Sequence, residues 1–266
     1  MKNILVPLGL SEDNVSRSRL QYCIQLIKET GGKIFVVKEF KQLPRTGSLP
    51  TANKTLREIT IAEIQKEIAK VEAYGVTIEA LPIEGELLEE IPAFNLENSI
   101  DMLVLGAEST DISNPYFLNE TAGSLVKMTE IPVLIVPENY EYKKIDKVLM
   151  AVKSGVIKKN NALSPVQEIL STFGADLKLL LVKTNSYLPE YSKIDEELKE
   201  VVDTYKSTEN ATLFQGLLEH LNENNPDLVC VFRRKRGFFE KLWEDNTVLK
   251  KDFESRVPLL VLRGSD

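Results

Sequence analysis

Few side chains in this chain have the types and spacing that chemistry requires. The densest group is Arg233-Arg234-Lys235-Arg236, four cations in succession. Such a run can hold a phosphate or another anion through charge-assisted hydrogen bonds. A solvated charged loop is the blander reading beside it. Phe238, Phe239, Leu242 and Trp243 follow at mixed spacing, either a cofactor or partner patch or a helix packed on a sheet. The single histidine, His220, excludes a histidine-dependent triad and a histidine-rich metal cluster, so no metal is expected. Ser109 and Ser124 have no base near them in sequence, and no catalytic residue is assigned. The Glu84-Gly85-Glu86 and Glu89-Glu90 stretches fit a solvated helix face better than paired catalytic acids. Neither Gly-x4-Gly-Lys-Ser/Thr nor Gly-x-Gly-x2-Gly occurs, so the two commonest phosphate-cradling loops are missing.

The elements that must position these groups come from a block that occurs twice. The first copy starts with Asp101-Met102-Leu103-Val104-Leu105-Gly106 and ends with Ile131-Pro132-Val133-Leu134-Ile135-Val136. The second, 126 positions later, starts with Asp227-Leu228-Val229-Cys230-Val231-Phe232 and ends with Val257-Pro258-Leu259-Leu260-Val261-Leu262. Short apolar runs without polar alternation suit strands covered on both faces of a parallel sheet. A repeat of this length means two similar domains, and 266 residues suffice for two cores.

Strand and helix signals alternate through both copies. In the first, strands are expected at 3–8, 34–37 and 76–81. Ser11 is the expected cap of a helix with Leu20, Cys23, Ile24 and Ile27 on one face. Residues 41–54 read as a loop, and Ile61, Ile64, Ile68 and Val71 mark the next helix. A weaker helix over 85–98 should break or kink near Pro92. Leu118, Ala122, Leu125 and Val126 mark the helix inside the repeated block. After a linker at 139–144 the pattern restarts with a strand at 148–152. Leu163, Val166, Leu170 and Phe173 form a helix face ended by Gly174, and a strand over 177–182 follows. Ile194, Leu198, Val201 and Tyr205 are expected on a helix, Ala211-Thr212-Leu213-Phe214 on a strand, and 216–224 on a shorter helix. Such alternation means an α/β fold whose ligands bind at the carboxyl ends of the strands, where strand order reverses.

Ile4-Leu5-Val6-Pro7, Ser11 after the first turn, the Asp101–Gly106 run and Pro132-Val133-Leu134-Ile135-Val136 together resemble the universal stress protein family. The resemblance covers nearly the whole chain as a tandem member. It implies two doubly wound α/β domains, 1–138 and 145–264. Each would have a five-stranded, mainly parallel sheet in the order 3-2-1-4-5 with helices on both faces. It places the switch point between strands one and four, where ATP-binding members hold nucleotide. Those members carry an Asp just after strand one and a Gly-x2-Gly-x9-Gly-Ser/Thr loop after strand four. Here the corresponding positions are Gly9, Gly106, Ser109, and Asn119 with Glu120. Gly106 is the one loop glycine kept, and Glu120 sets a carboxylate where phosphate would lie. In the second copy the positions are Lys153, Phe232, Lys235, and Asp245 with Asn246. Lys153, Arg233 and Lys235 are the candidate anion contacts there.

The resemblance and the altered loops together suggest a non-enzymatic stress-adaptation protein with weakened or lost ATP binding, acting through a protein partner or a small anionic ligand. The alternative is an ATP- or AMP-binding protein with nucleotide at the first-copy switch point; a nucleotide hydrolase rests on fold analogy alone. No cofactor is otherwise expected. The net charge of −7 argues against nucleic-acid binding. No run is long enough to cross a membrane, and the N-terminal apolar run is too short for a signal peptide. Cys23 and Cys230 fall at apolar positions of a helix and a strand, which fits a reducing cytoplasm. The apolar fifth strands, with Val133, Ile135, Leu259 and Val261, should cover each other as a pseudo-dimer within one chain. A homodimer of whole chains is left open.

Overall fold

The unbroken apolar runs form central strands buried on both faces, and less apolar segments form the strands at the sheet edges. In the first half these are β1 (Asn3–Pro7), β2 (Lys33–Phe40), β3 (Thr77–Glu84), β4 (Met102–Gly106) and, after a short β5 (Tyr116–Leu118), β6 (Val133–Val136). The second half contributes β7 (Lys147–Val152), β8 (Asp176–Lys183), β9 (Thr204–Glu209), β10 (Leu228–Arg233) and, after β11 (Val248–Leu249), β12 (Leu259–Arg263). This computed structural model describes residues 1–9, 13–28, 30–41, 50–107, 114–157, 161–233, 248–250 and 253–264.

Ten strands make one sheet in the order β3-β2-β1-β4-β6-β12-β10-β7-β8-β9. Each half is parallel throughout and follows the expected 3-2-1-4-5 order. The halves join through β6 and β12, which pair antiparallel with Leu134 opposite Leu260 and Val133 opposite Val261. The two apolar edges thus cover each other.

Helices pack on both faces. On one lie α1 (Asp13–Ile27), α2 (Pro50–Ile68) and α5 (Ser164–Phe173); on the other lie α3 (Leu87–Asn98), α4 (Glu120–Met128) and α7 (Leu213–Asn224). Strand residues alternate between these faces: Ile4, Leu134, Met150 and Leu260 join one core, and Leu5, Ile135, Leu149 and Leu259 the other. Each core therefore runs without a break across both halves.

Several elements differ from the sequence reading. Pro50 opens α2 inside the stretch read as loop; proline suits a first helical position because its missing N–H would lack a helical partner. The α3 helix continues through Pro92. Leu118 belongs to β5, not to a helix, and faces Val248 of β11 in a two-stranded antiparallel ribbon. The helix expected around Leu198 shrinks to a 3-10 turn (Pro189–Ser192) and the single-turn α6 (Glu196–Lys199). Tyr205 lies in β9, the third strand of its half, and Leu213-Phe214 open α7 rather than forming that strand. The physical reason is Thr212: its hydroxyl accepts the Gln215 N–H at 3.1 Å, capping a helix at the point where its β-branched side chain suggested a strand.

Candidate functional site

The crevice expected of this topology lies between β1 and β4. Their pairing is confined to Ile4 opposite Met102 and Leu5 opposite Leu103. Beyond that level β1 stays on β2 up to Pro7, and β4 stays on β6 up to Gly106. The two central strands thus separate at their carboxyl ends, as at a doubly wound switch point.

Gly9 follows β1 at this opening with φ +80°, a conformation that favours glycine. A Cβ there would lie 3.7 Å from Cε of Lys38, whose ammonium pairs with Glu63 at 2.9 Å. Gly106 is the buried last residue of β4, level with Val136 of β6. Asn119 and Glu120 open α4. The Asn119 side chain caps that helix by accepting the Ala122 N–H at 2.9 Å, and exposed Glu120 supplies the first-turn carboxylate. One helix-start donor is thereby taken by the chain's own amide oxygen. Gly123 and Ser124 lie inside α4, as their spacing implies. Ser109 lies outside the described residues.

The second half is arranged differently. Lys153 follows β7, and the chain then turns through Ser154-Gly155 onto the segment after β8. Gly155 N–H donates to Tyr191 O at 2.9 Å, and Asp195 N–H donates to Gly155 O at 3.0 Å. A Cβ on Gly155 would meet Lys193 O at 2.6 Å, so only glycine fits this approach. The Asp195 carboxylate accepts the Ile157 N–H. The strand-one end of this half is thus packed against its own chain. Arg233 ends β10 and reaches into the other half, donating to Val126 O at 2.8 Å and Thr129 O at 2.9 Å. It caps the carboxyl end of α4, where a cation opposes the helix dipole. Arg263, its neighbour on β12, pairs with Glu130 beside the same helix end. Lys235, the rest of the basic run, Asp245-Asn246 and the aromatic stretch to Trp243 lie outside the described residues.

Two features escaped the sequence reading. The repeated Asp101 and Asp227 work at the opposite, amino end of the sheet. Asp101 Oδ2 accepts Lys2 N–H at 2.6 Å and Asn3 N–H at 2.9 Å; Asp227 Oδ2 accepts Asp146 N–H at 3.1 Å and Lys147 N–H at 3.0 Å. Each pins the start of its half's first strand. The second feature is Arg19, on the core face of α1 and 1% exposed. Its Nη2 donates to Pro7 O at 3.0 Å, while Nε and Nη1 have no partner among the described residues. Burial pulls its pKa down to about 10 and pushes the neighbouring Cys23 thiol up to about 12. The signal was present in the sequence: Arg19 is four residues before Cys23 and eight before Ile27, on the apolar stripe.

Away from the crevice, a cavity of about 380 Å³ lies between α3 and α4, lined mainly by Leu88, Ile91, Leu96, Leu125, Met128 and Ile131. Its apolar wall contrasts with the cations at the end of β1.

A protein-family model described as "Universal stress protein family" matches residues 1–137. Among solved structures, the chain is similar to a universal stress protein from Archaeoglobus fulgidus DSM 4304, with 18% identity, 98% of each chain covered and a TM-score of 0.71. It is also similar to a functionally unknown protein from Pseudomonas aeruginosa PAO1, with 13% identity, 99% of this chain and 93% of that chain covered, and a TM-score of 0.61. These likenesses are of fold. No match was found among curated proteins.

Proposed function

The chain belongs to the universal stress protein family, and from that premise we propose that it is a non-enzymatic stress-adaptation protein whose ATP binding is weakened or lost. It acts through a protein partner or a small anionic ligand. The observation that carries this reading is the self-capped start of α4. A phosphate seated there would compete with Asn119 for the Ala122 N–H and would face the Glu120 carboxylate. At β1, Gly9 leaves no carboxylate where ATP-binding relatives carry aspartate. In the second half, the packing of Gly155 on residues 191–195 supports a closed crevice. We divide the chain into units at 1–138 and 145–264, joined by 139–144.

A second reading, nucleotide held in the first half, draws on Gly106, which ends β4 beside the crevice as the loop glycine does in binding members. Isothermal titration of nucleotide-stripped protein with ATP and AMP, Mg2+ present, separates the two. The proposal expects no heat with either ligand at tens of micromolar protein. Micromolar binding overturns it in favour of the second reading, and release of phosphate or AMP would mark a hydrolase. Glu120→Gly combined with Gly9→Asp should move the protein toward binding.

A further inference from the structure

The cavity between α3 and α4 is separate from the crevice. Both helices end where β4 and β6 begin, so it lies at the opposite end of the sheet. Leu88, Ile91 and Pro92 of α3 line it at helical spacing, and Leu125 and Met128 of α4 line the other side. Its volume of about 380 Å³ falls within the roughly 300–1,000 Å³ of small-molecule sites. Oxygens at its wall already serve the chain. The Asn95 side-chain oxygen accepts the Ile100 N–H at 2.8 Å, and the Thr129 hydroxyl accepts the Ile131 N–H at 3.2 Å. The Thr129 carbonyl accepts from Arg233, and Glu130 pairs with Arg263. One acceptor is different. Pro92 has no N–H, so the Leu88 carbonyl lacks the donor that a helix supplies four residues on. Leu88 and Pro92 lie one turn apart on the same face and both line the cavity, so this acceptor opens on the apolar wall. On these two helices, Leu96 (86% exposed) and Met128 (61% exposed) are the large apolar side chains left in water. Their exposed neighbours Glu89, Glu90, Glu97 and Lys127 are charged. A protein partner covers roughly 800 Å², far more than two apolar side chains ringed by charge offer.

We infer that the α3–α4 cavity binds a small uncharged molecule with an apolar body and one hydrogen-bond donor, an aliphatic alcohol in the simplest case. The body fills the space between Leu88, Ile91, Leu125 and Ile131, and the donor meets the Leu88 carbonyl. Met128 at the mouth is flexible and polarizable, which lets it close over ligands of different shape. An anionic head is disfavoured, because it would leave water and face both a bare acceptor and the Glu130 carboxylate. The second half shares in the site: Arg233 and Arg263 fix the end of α4 and thereby the width of the cavity. This site is independent of the proposed function.

The test is titration of the full chain, labelled at its methionine methyl groups, with octanol, heptyl methyl ether and octanoate, followed by NMR. The chain has four methionines; Met128 is exposed at the cavity, whereas Met1, Met102 and Met150 are buried. Octanol should shift the Met128 signal saturably and leave the other three in place. The ether, of equal length but without a donor, should bind about fivefold more weakly, and octanoate about tenfold more weakly or worse. Pro92→Ala restores an N–H for the Leu88 carbonyl. This variant should fold and melt at or above wild type, because proline inside a helix costs stability. Its affinity for octanol should fall to its affinity for the ether, so that the ratio approaches one. Leu88→Trp fills the cavity and should abolish the response to both. A Met128 signal that octanol does not move, or that moves together with the buried methionines, overturns the inference. So does an octanol-to-ether ratio unchanged in Pro92→Ala, or octanoate bound as well as octanol. A Met128 signal that follows protein concentration instead of octanol would assign the cavity to a second copy of the chain and also overturn it.

Discussion

Glu223, in the last turn of α7, lies between Lys206 and His220: Lys206 Nζ is 2.8 Å away and His220 Nδ1 3.0 Å away. The Lys206 hydrogen bond, then that of His220, holds its carboxyl down at about 2 from an ordinary 4.5. A carboxylate whose folded pKa is depressed contributes stability that is fully present above the unfolded pKa and lost as pH falls through the folded one. The window is therefore pH 4.5 to about 2. Urea melts of wild type and Glu223→Gln should differ at pH 6 and converge as pH falls from 4.5 through about 2. A gap that stays constant over that whole range would place the contribution elsewhere. Residues of the candidate site differ in legibility. Asn119 and Glu120 are placed by the resemblance to the family's loop pattern, and the cap that Asn119 forms follows from its type. Arg19 could be read only as a charge on an apolar stripe. Sequence does not reveal that its guanidinium meets a carbonyl at a strand end, because that contact depends on where α1 crosses β1.

At the level of elements, the sheet was legible wherever burial on both faces leaves an unbroken apolar run, as in β1, β4, β6, β10 and β12. β9 was not legible. Its residues Thr204–Glu209 are mostly exposed at the sheet edge, so backbone pairing to β8, not an apolar pattern, makes it a strand. β5 and β11 are strands only because each finds the other across the halves, which no local propensity encodes. The β6–β12 pair is the joint that the remaining contacts reinforce. Val261, 3% exposed, sits opposite Val133 in it. Val261→Lys removes an apolar contact and leaves an ammonium in the core, a loss of roughly 3 kcal/mol or more. Denaturant melts should show that loss, and size-exclusion chromatography should show loss of monodispersity. Substituting Lys199, an exposed charge on α6, should change neither. Val261→Lys behaving as wild type would mean that the joint does not hold the halves together.

The whole molecule is built so that neither half is finished alone. Both cores cross the joint, and the amino terminus bonds from the first half to Glu168 on α5 of the second. Arg233 and Arg263 of the second half hold the carboxyl end of α4 in the first. Phe253 packs on both Phe117 and Phe214, one aromatic from each half, with ring centroids 5.3 Å and 4.5 Å away. Interactions shared this widely predict one cooperative unfolding unit: calorimetry should give a single transition whose measured enthalpy equals the van't Hoff value. The isolated segment 1–138 makes the complementary case. Cutting the chain there uncovers β6, four buried residues with a free row of backbone donors and acceptors. An antiparallel edge that accepts β12 presents the same geometry to a second β6, so light scattering should find the segment as a dimer. Ile135→Lys should return it to monomer or unfold it. Two separate calorimetric transitions, with a monomeric 1–138 segment, would mean that each half carries its own core and that the ten-stranded sheet is a docking of finished units. A single transition with a dimeric segment would mean that the second half serves the first as a permanent partner.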